Sequence, residues 1–95
     1  MQSYIAQLVF GIYCDGAFTD QYDQQVRLIN APHTDAAYEA ALTLGNSLSE
    51  SFWDRNGRKM DWSFLSVLEV MPIELESGSL LFSFIKEQKP IGLEN

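Results

Sequence analysis

The stretch Tyr4-Ile5-Ala6-Gln7-Leu8-Val9-Phe10-Gly11-Ile12-Tyr13-Cys14, followed at once by Asp15-Gly16, decides the fold. Successive side chains of a strand point to opposite faces. Tyr4, Ala6, Leu8, Phe10, Ile12 and Cys14 therefore share one face, which reads as the core face. Ile5, Gln7, Val9, Gly11 and Tyr13 share the other. Asp15-Gly16 is turn chemistry, and the chain is expected to loop as far as Asp20. A second strand is expected over about 22–31, with Tyr22, Gln24, Val26, Leu28 and Asn30 in phase and Arg27 and Ile29 opposite. The connection is too short for a parallel crossover, so the two strands form an antiparallel hairpin.

Outward from the hairpin, Pro32 ends the second strand. Thr34 then stands as the helix N-cap, with Asp35 at the positive end of the dipole. Over 35–53 the apolar spacing is helical: Ala37, Tyr38, Ala41, Leu44, Gly45, Leu48 and Phe52 follow the i, i+3, i+4, i+7 pattern. Gly45 inside a helix costs about 1 kcal/mol relative to Ala, and close packing against the sheet is the expected reason for it. Asn56-Gly57 marks a turn. A third strand is expected over about 60–71, with Trp62, Phe64, Leu68 and Val70 on one face and Leu65, Val67 and Met71 on the other. Pro72 ends or bulges it. Glu74, Glu76, Ser77 and Gly78 form an acidic turn. A fourth strand over about 79–87 carries Leu80, Phe82 and Phe84 on one face and Leu81 and Ile85 on the other. The polar tail over 88–95 is expected to fray. The fold class is α+β, in the order ββαββ: a four-stranded, mostly antiparallel sheet with one long helix packed on one face. The 95 residues make a single domain.

Composition bounds the partners. Hydrophobic residues make up 46% and charged residues 20%, which is globular rather than disordered. Six basic residues face thirteen acidic ones, for a formal charge of −7. Of the basic residues only Arg55, Arg58 and Lys59 cluster, and Asp54 and Asp61 flank them. Nucleic-acid binding needs a basic surface, so no nucleic-acid partner is expected. An acidic surface favours solubility and can steer a basic protein partner. The single Cys14 excludes an intrachain disulfide. The opening Met1-Gln2-Ser3-Tyr4 lacks the positive region of a signal peptide, and no apolar run reaches the roughly 18–20 residues of a membrane span. The expected compartment is the cytoplasm, with no membrane partner.

No motif reaches the strength of a catalytic signature. No phosphate-cradling glycine loop of standard spacing is present, and one histidine cannot make a two-histidine metal site. His33 is either a general base at a helix start or an exposed helix-entry residue. Cys14 is either a nucleophile near His33 or a small apolar residue at a strand end. Asp15, Asp20 and Asp23 make a loose acidic group without calcium-loop spacing, and a solvated turn explains them as well. The charged segment with Arg55 and Arg58 can be a partner-binding loop or a solvated connection. Trp53 falls off the apolar helix stripe and is the better interaction candidate of the two tryptophans, because Trp62 alternates with Phe64. No cofactor and no metal is expected.

Sheet arithmetic carries one inference further. A helix is about 10–12 Å wide, and four strands at about 4.8 Å spacing make a sheet nearly twice that. One helix covers one face at most. Ile5, Val9, Leu65, Val67, Leu81 and Ile85 are left as an apolar set on the second face, and such a patch marks an interface. The expectation is a homodimer through the open sheet face, or a sheet curved over itself. The function read from these residues is a non-catalytic binding or assembly domain acting through protein–protein contacts. The alternative is a small-molecule binder or minor enzyme with a pocket at the helix–sheet or dimer seam.

Several segments taken together resemble one known family. They are Tyr4 to Phe10, the return Tyr22-Asp23-Gln24-Gln25-Val26-Arg27-Leu28-Ile29-Asn30-Ala31, the Ala-rich helix, Trp62-Ser63-Phe64-Leu65-Ser66-Val67-Leu68-Glu69-Val70 and Ser77-Gly78-Ser79-Leu80-Leu81-Phe82. The chain is similar, from about residue 3 to 86, to the bacterial family called domain of unknown function 4288. The resemblance implies a small single-domain bacterial protein. It supplies no activity and no catalytic residues.

Overall fold

Alternation along the first stretch becomes β1 (Gln2–Cys14), the centre of the sheet in a computed structural model that describes residues 1–74 and 76–78. Asp15 and Gly16 have φ of 50° and 84°, the pair of left-handed conformations that a two-residue primed hairpin turn requires. Cys14 pairs with Ala17, so β2 (Ala17–Ala31) begins directly after the turn. The loop expected to run to Asp20 is strand with one irregularity. The register shifts between Ile12 and Tyr13, Asp20 takes φ of 63°, and Thr19 Oγ1 donates to the Ile12 carbonyl at 2.6 Å.

Helix α1 spans Thr34–Ser47, and both of its ends differ from expectation. His33, not Thr34, is the N-cap: its backbone is extended, and its Nδ1 accepts the Ala36 N–H at 3.2 Å. At the other end the Leu48 N–H donates to the carbonyls of Leu44 and Gly45, and the helix stops there rather than at Trp53. Residues Glu50–Trp53 form β3 and pair antiparallel with the start of β4 (Lys59–Ile73). Phe52 continues the helical spacing from Leu48, but as a strand residue it pairs with Met60 and lays its ring 5.5 Å from Trp62. That tertiary contact outweighs local periodicity. The strand expected over 79–87, with Leu81 and Ile85, lies outside the described residues.

Over the described residues the architecture is α+β in the order ββαββ, with the four strands in one antiparallel sheet of order β2-β1-β4-β3. The helix packs on one face. Its buried stripe is Ala37, Ala41 and Gly45, small residues one helical turn apart that let the axis approach the sheet. The core beneath is Tyr4, Ala6, Leu8 and Phe10 of β1 with Ile29 and Ala31 of β2, and Phe64, Val67 and Val70 of β4 pack against it. The expected core face of β1 is thus the face under the helix.

Two bulges shape β4. Gln7 pairs with Glu69 and Leu8 with Val67, leaving Leu68 extra; Val9 pairs with Ser66 and Phe10 with Phe64, leaving Leu65 extra. A bulge inserts one unpaired residue and resets the alternation beyond it. Val67 therefore packs on the helix side with Phe64 and Val70, and Leu68 is exposed. This reverses the face that strict alternation assigns to Val67 and takes Leu68 out of the core. The strand also runs one residue past Pro72, which sits opposite Tyr4.

Candidate functional site

Among the described residues no helix covers the second face of the sheet, and strand register decides which residues that face carries. Ile5, Gln7, Val9, Gly11 and Tyr13 of β1 point there, opposite the buried set. Their β2 partners Leu28, Val26, Gln24, Tyr22 and Phe18 stand beside them. On the other side Met71 pairs with Ile5. At the turn end, Tyr13 pairs with Asp61, and alternation puts Lys59 and its partner Trp53 on the same face.

The exposures on this face are those of an unfinished core. Ile5 and Val9 are each only 8% exposed because their neighbours on both strands flank them. Around them Tyr22 is 58% exposed, Leu28 53% and Leu65 46%, and Phe18, Val26 and Met71 are also exposed; Trp53, 71% exposed, stands at the turn end of the same face. Leu65, the bulged residue, leans over the middle of β1: a Cβ on Gly11 would lie 3.2 Å from its Cδ1 and 3.1 Å from Tyr13 Cε1. Phe18 bridges Tyr13 and Tyr22 with ring centroids at 5.4 and 5.2 Å. Such tilted and edge-on pairs prefer each other to water. The charged residues that register places here are Lys59, Asp61 and Glu69, and Glu69 accepts from Gln7.

Among the expected interaction residues, Ile5, Val9 and Leu65 stand on this face along β1 and β4, and Trp53 lies on the same face at its turn end. Val67 does not, for the reason of register given above. Arg55 and Arg58 lie in the β3–β4 turn. Arg55 is exposed, whereas Arg58 is engaged within the turn itself. Arg58 Nε donates to Asp54 Oδ2 at 2.9 Å, and the backbone N–H groups of Asn56 and Arg58 donate to Asp54 Oδ1. The Arg58 amide, with help from its guanidinium, holds the Asp54 carboxyl below its ordinary range, and Asp54 in turn raises Arg58. The neighbouring turn is tied on by Asp15, whose N–H donates to the Lys59 carbonyl and whose Oδ1 accepts the Lys59 N–H. Sequence reasoning does not single out Tyr13, Phe18, Tyr22, Val26, Leu28 and Met71. Their signal is the phase they share with Ile5 and Val9.

On the helix side, beyond the end of α1, lies a cleft of ≈480 Å³ lined by Asp23, Gln25, Arg27, Leu48, Phe52 and Trp62 among others. Trp62 Nε1 and Gln25 Nε2 both donate to Asp23 Oδ2, and Arg27 donates twice to Gln25 Oε1. The pairing of His33 with Cys14 as base and nucleophile does not form. Gln2 pairs with Ala31, so His33 lies at one end of β1 and Cys14 at the other, about 40 Å apart at the usual rise of a strand. His33 Nδ1 already accepts the Ala36 N–H as a cap. Among the described residues no three acidic, histidine or cysteine side chains gather as metal ligands, and no helix is long and apolar enough to cross a membrane.

A family model described as Domain of unknown function (DUF4288) matches residues 3–83, a span that takes in α1 and nearly all of the four strands. No curated protein and no solved structure matches the chain.

Proposed function

We infer, for a chain that belongs to the domain of unknown function 4288 family and takes no activity from it, that the protein is a binding and assembly domain. It acts through the helix-free face of its sheet, where a second copy packs. The observation that carries this reading is the exposed apolar surface around Ile5 and Val9, formed by Tyr22, Leu28, Leu65, Phe18, Val26 and Met71. Contiguous apolar patches of this kind mark interaction sites. Two such sheets stack about 10 Å apart with interdigitated side chains.

The charge pattern selects the occupant. The whole chain carries −7, yet Lys59, Asp61 and Glu69 leave this face with a net charge of only −1. A basic partner is recognised through complementary charge, which a nearly neutral face does not offer. A second acidic copy meets little repulsion here.

Light scattering on a size-exclusion column tests the reading. The wild-type protein is expected to show at least twice the 10.8 kDa chain mass. Leu65→Lys combined with Met71→Lys is expected to halve that mass at the same concentration, with an unchanged far-UV spectrum because both residues are exposed. A mass unaffected by the two lysines would overturn the reading.

A further inference from the structure

We propose a second homotypic contact: the outer edge of β2 pairs antiparallel with the β2 edge of another copy, on a two-fold axis through Gln25. The contact rests on the edge and its charges, not on the helix-free face. In the described sheet β2 is the outermost strand, with only β1 beside it. It is 15 residues long, and its pairing with β1 is unbroken from Gln21 to Ala31. An outer strand presents a row of backbone N–H and C=O groups that another strand can take up. Soluble proteins usually blunt such edges with charged side chains, lysine above all, with proline or with a bulge. β2 has no lysine and no proline, its one irregularity lies at the hairpin end, and the only charges along its unbroken stretch, Asp23 and Arg27, are of opposite sign.

The side chains along this edge are self-complementary about Gln25. In an isologous pair, residue i faces j and j faces i. With Gln25 opposite its own copy, Asp23 stands opposite Arg27 of the second copy, and Arg27 opposite Asp23. On the other face Tyr22 stands opposite Leu28, and Gln24 opposite Val26. Opposite charges and aromatic–aliphatic pairs are the favourable cross-strand combinations. Moving the axis to Gln24 sets Asp23 against Gln25, and moving it to Val26 sets Arg27 against Gln25; either loses both charge pairs. Within one chain, Arg27 makes its two side-chain bonds to the Gln25 amide, not to a carboxylate. The contact converts these into ion pairs across the seam. It also aligns the two helix-free faces side by side, so that face and edge contacts together close a tetramer of two eight-stranded sheets.

The test uses the full chain carrying Leu65→Lys and Met71→Lys, which isolates the edge. Asp23→Arg and Arg27→Asp each place like charges opposite one another. Each is expected to weaken the dimer roughly tenfold to a hundredfold. Mixed in equal amounts, the two variants restore both pairs and are expected to form a heterodimer that neither forms alone. Restoration on mixing shows that both chains are folded. Failure of the mixture to associate, when both variants keep wild-type far-UV spectra, overturns the proposal. An independent reading comes from Cys14→Ser with Gln25→Cys. On the axis the two Cα atoms lie about 4.5–5.5 Å apart, within disulfide range. Oxidation is expected to link the copies, whereas Gln21→Cys, about 26 Å from its mate in this register, stays unlinked. Equal cross-linking of the two, or none at Gln25→Cys, also overturns the register.

Discussion

Gly45→Ala tests how closely the helix sits on the sheet. In an isolated helix the change gains about 1 kcal/mol. Here an ideal Cβ at position 45 would lie 2.5 Å from Phe64 Cδ1 and 2.6 Å from Cζ, with Cε1 nearer still. Ordinary carbon contacts are about 3.5–4.0 Å. The Phe64 ring cannot simply swing aside, because it rests on fully buried Phe10 with centroids 5.6 Å apart. Overpacking of this kind costs about 1–3 kcal/mol, so the net effect is a loss of about 1 kcal/mol. For a domain of this size that lowers the melting temperature by about 4–8 °C. In a Phe64→Leu background the obstructing ring is gone and the sign reverses: the same Gly45→Ala now stabilises by up to about 1 kcal/mol. Urea unfolding of the four proteins of this cycle measures the coupling, expected at about 1–3 kcal/mol. If Gly45→Ala stabilises both backgrounds equally, the close approach inferred at this point is wrong.

Two further expectations follow from burial and from charge. Leu8→Ala, at a fully buried position under the helix, is expected to cost about 2–5 kcal/mol; Leu28→Ala, on the exposed face, is expected to stay within about 0.5 kcal/mol in the monomer. Chemical denaturation of both separates the two faces of the sheet. Asp54→Ala removes the acceptor for the Asn56 and Arg58 amides and is expected to lower the melting temperature at pH 7. The folded-state pKa of Asp54 is depressed, so its contribution is present above the unfolded value of about 3.9 and is lost as pH falls through the folded one. Melting curves of wild type and variant should therefore converge in acid; a gap that stays constant down to pH 2 would contradict this.

Much of this fold is legible in the chain because β1 obeys a single rule. Tyr4, Ala6, Leu8 and Phe10 alternate without interruption and are the buried set. Asp15-Gly16 marks a turn, although β2 resumes at Ala17 and not after Asp20, and Gly45 announces close packing. The misreadings have physical causes. Phe52 satisfies helical spacing from Leu48, yet pairing with Met60 and stacking on Trp62 draw it into β3, contacts that local periodicity cannot foresee. Val67 changes faces because bulges at Leu65 and Leu68 break the two-residue period. The spacing Phe64, Val67, Val70 is the trace those bulges leave, and it is visible only once the partner strand is known. His33 caps the helix with a ring nitrogen, a role that Ser, Thr, Asp and Asn usually fill. For the candidate site, Ile5, Val9, Leu65 and Trp53 can be found from the sequence. The surrounding aromatics need the register of β2 to show which way they face.

The central position of β1 also sets the order in which the molecule can assemble. Its hairpin with β2 needs only the Asp15-Gly16 turn and can close within microseconds. Its other partner is far along the chain, with Ser3 opposite Ile73, and distant pairings are slow because loop closure comes before any contact repays it. On the ribosome the hairpin therefore waits through synthesis of the helix and of β3 before β4 arrives. During that interval Leu8 and Phe10 are uncovered on one side and Ile5 and Val9 on the other. The nascent chain is most prone to aggregation at that stage, and a chaperone that engages it then would meet an apolar strand with an empty edge.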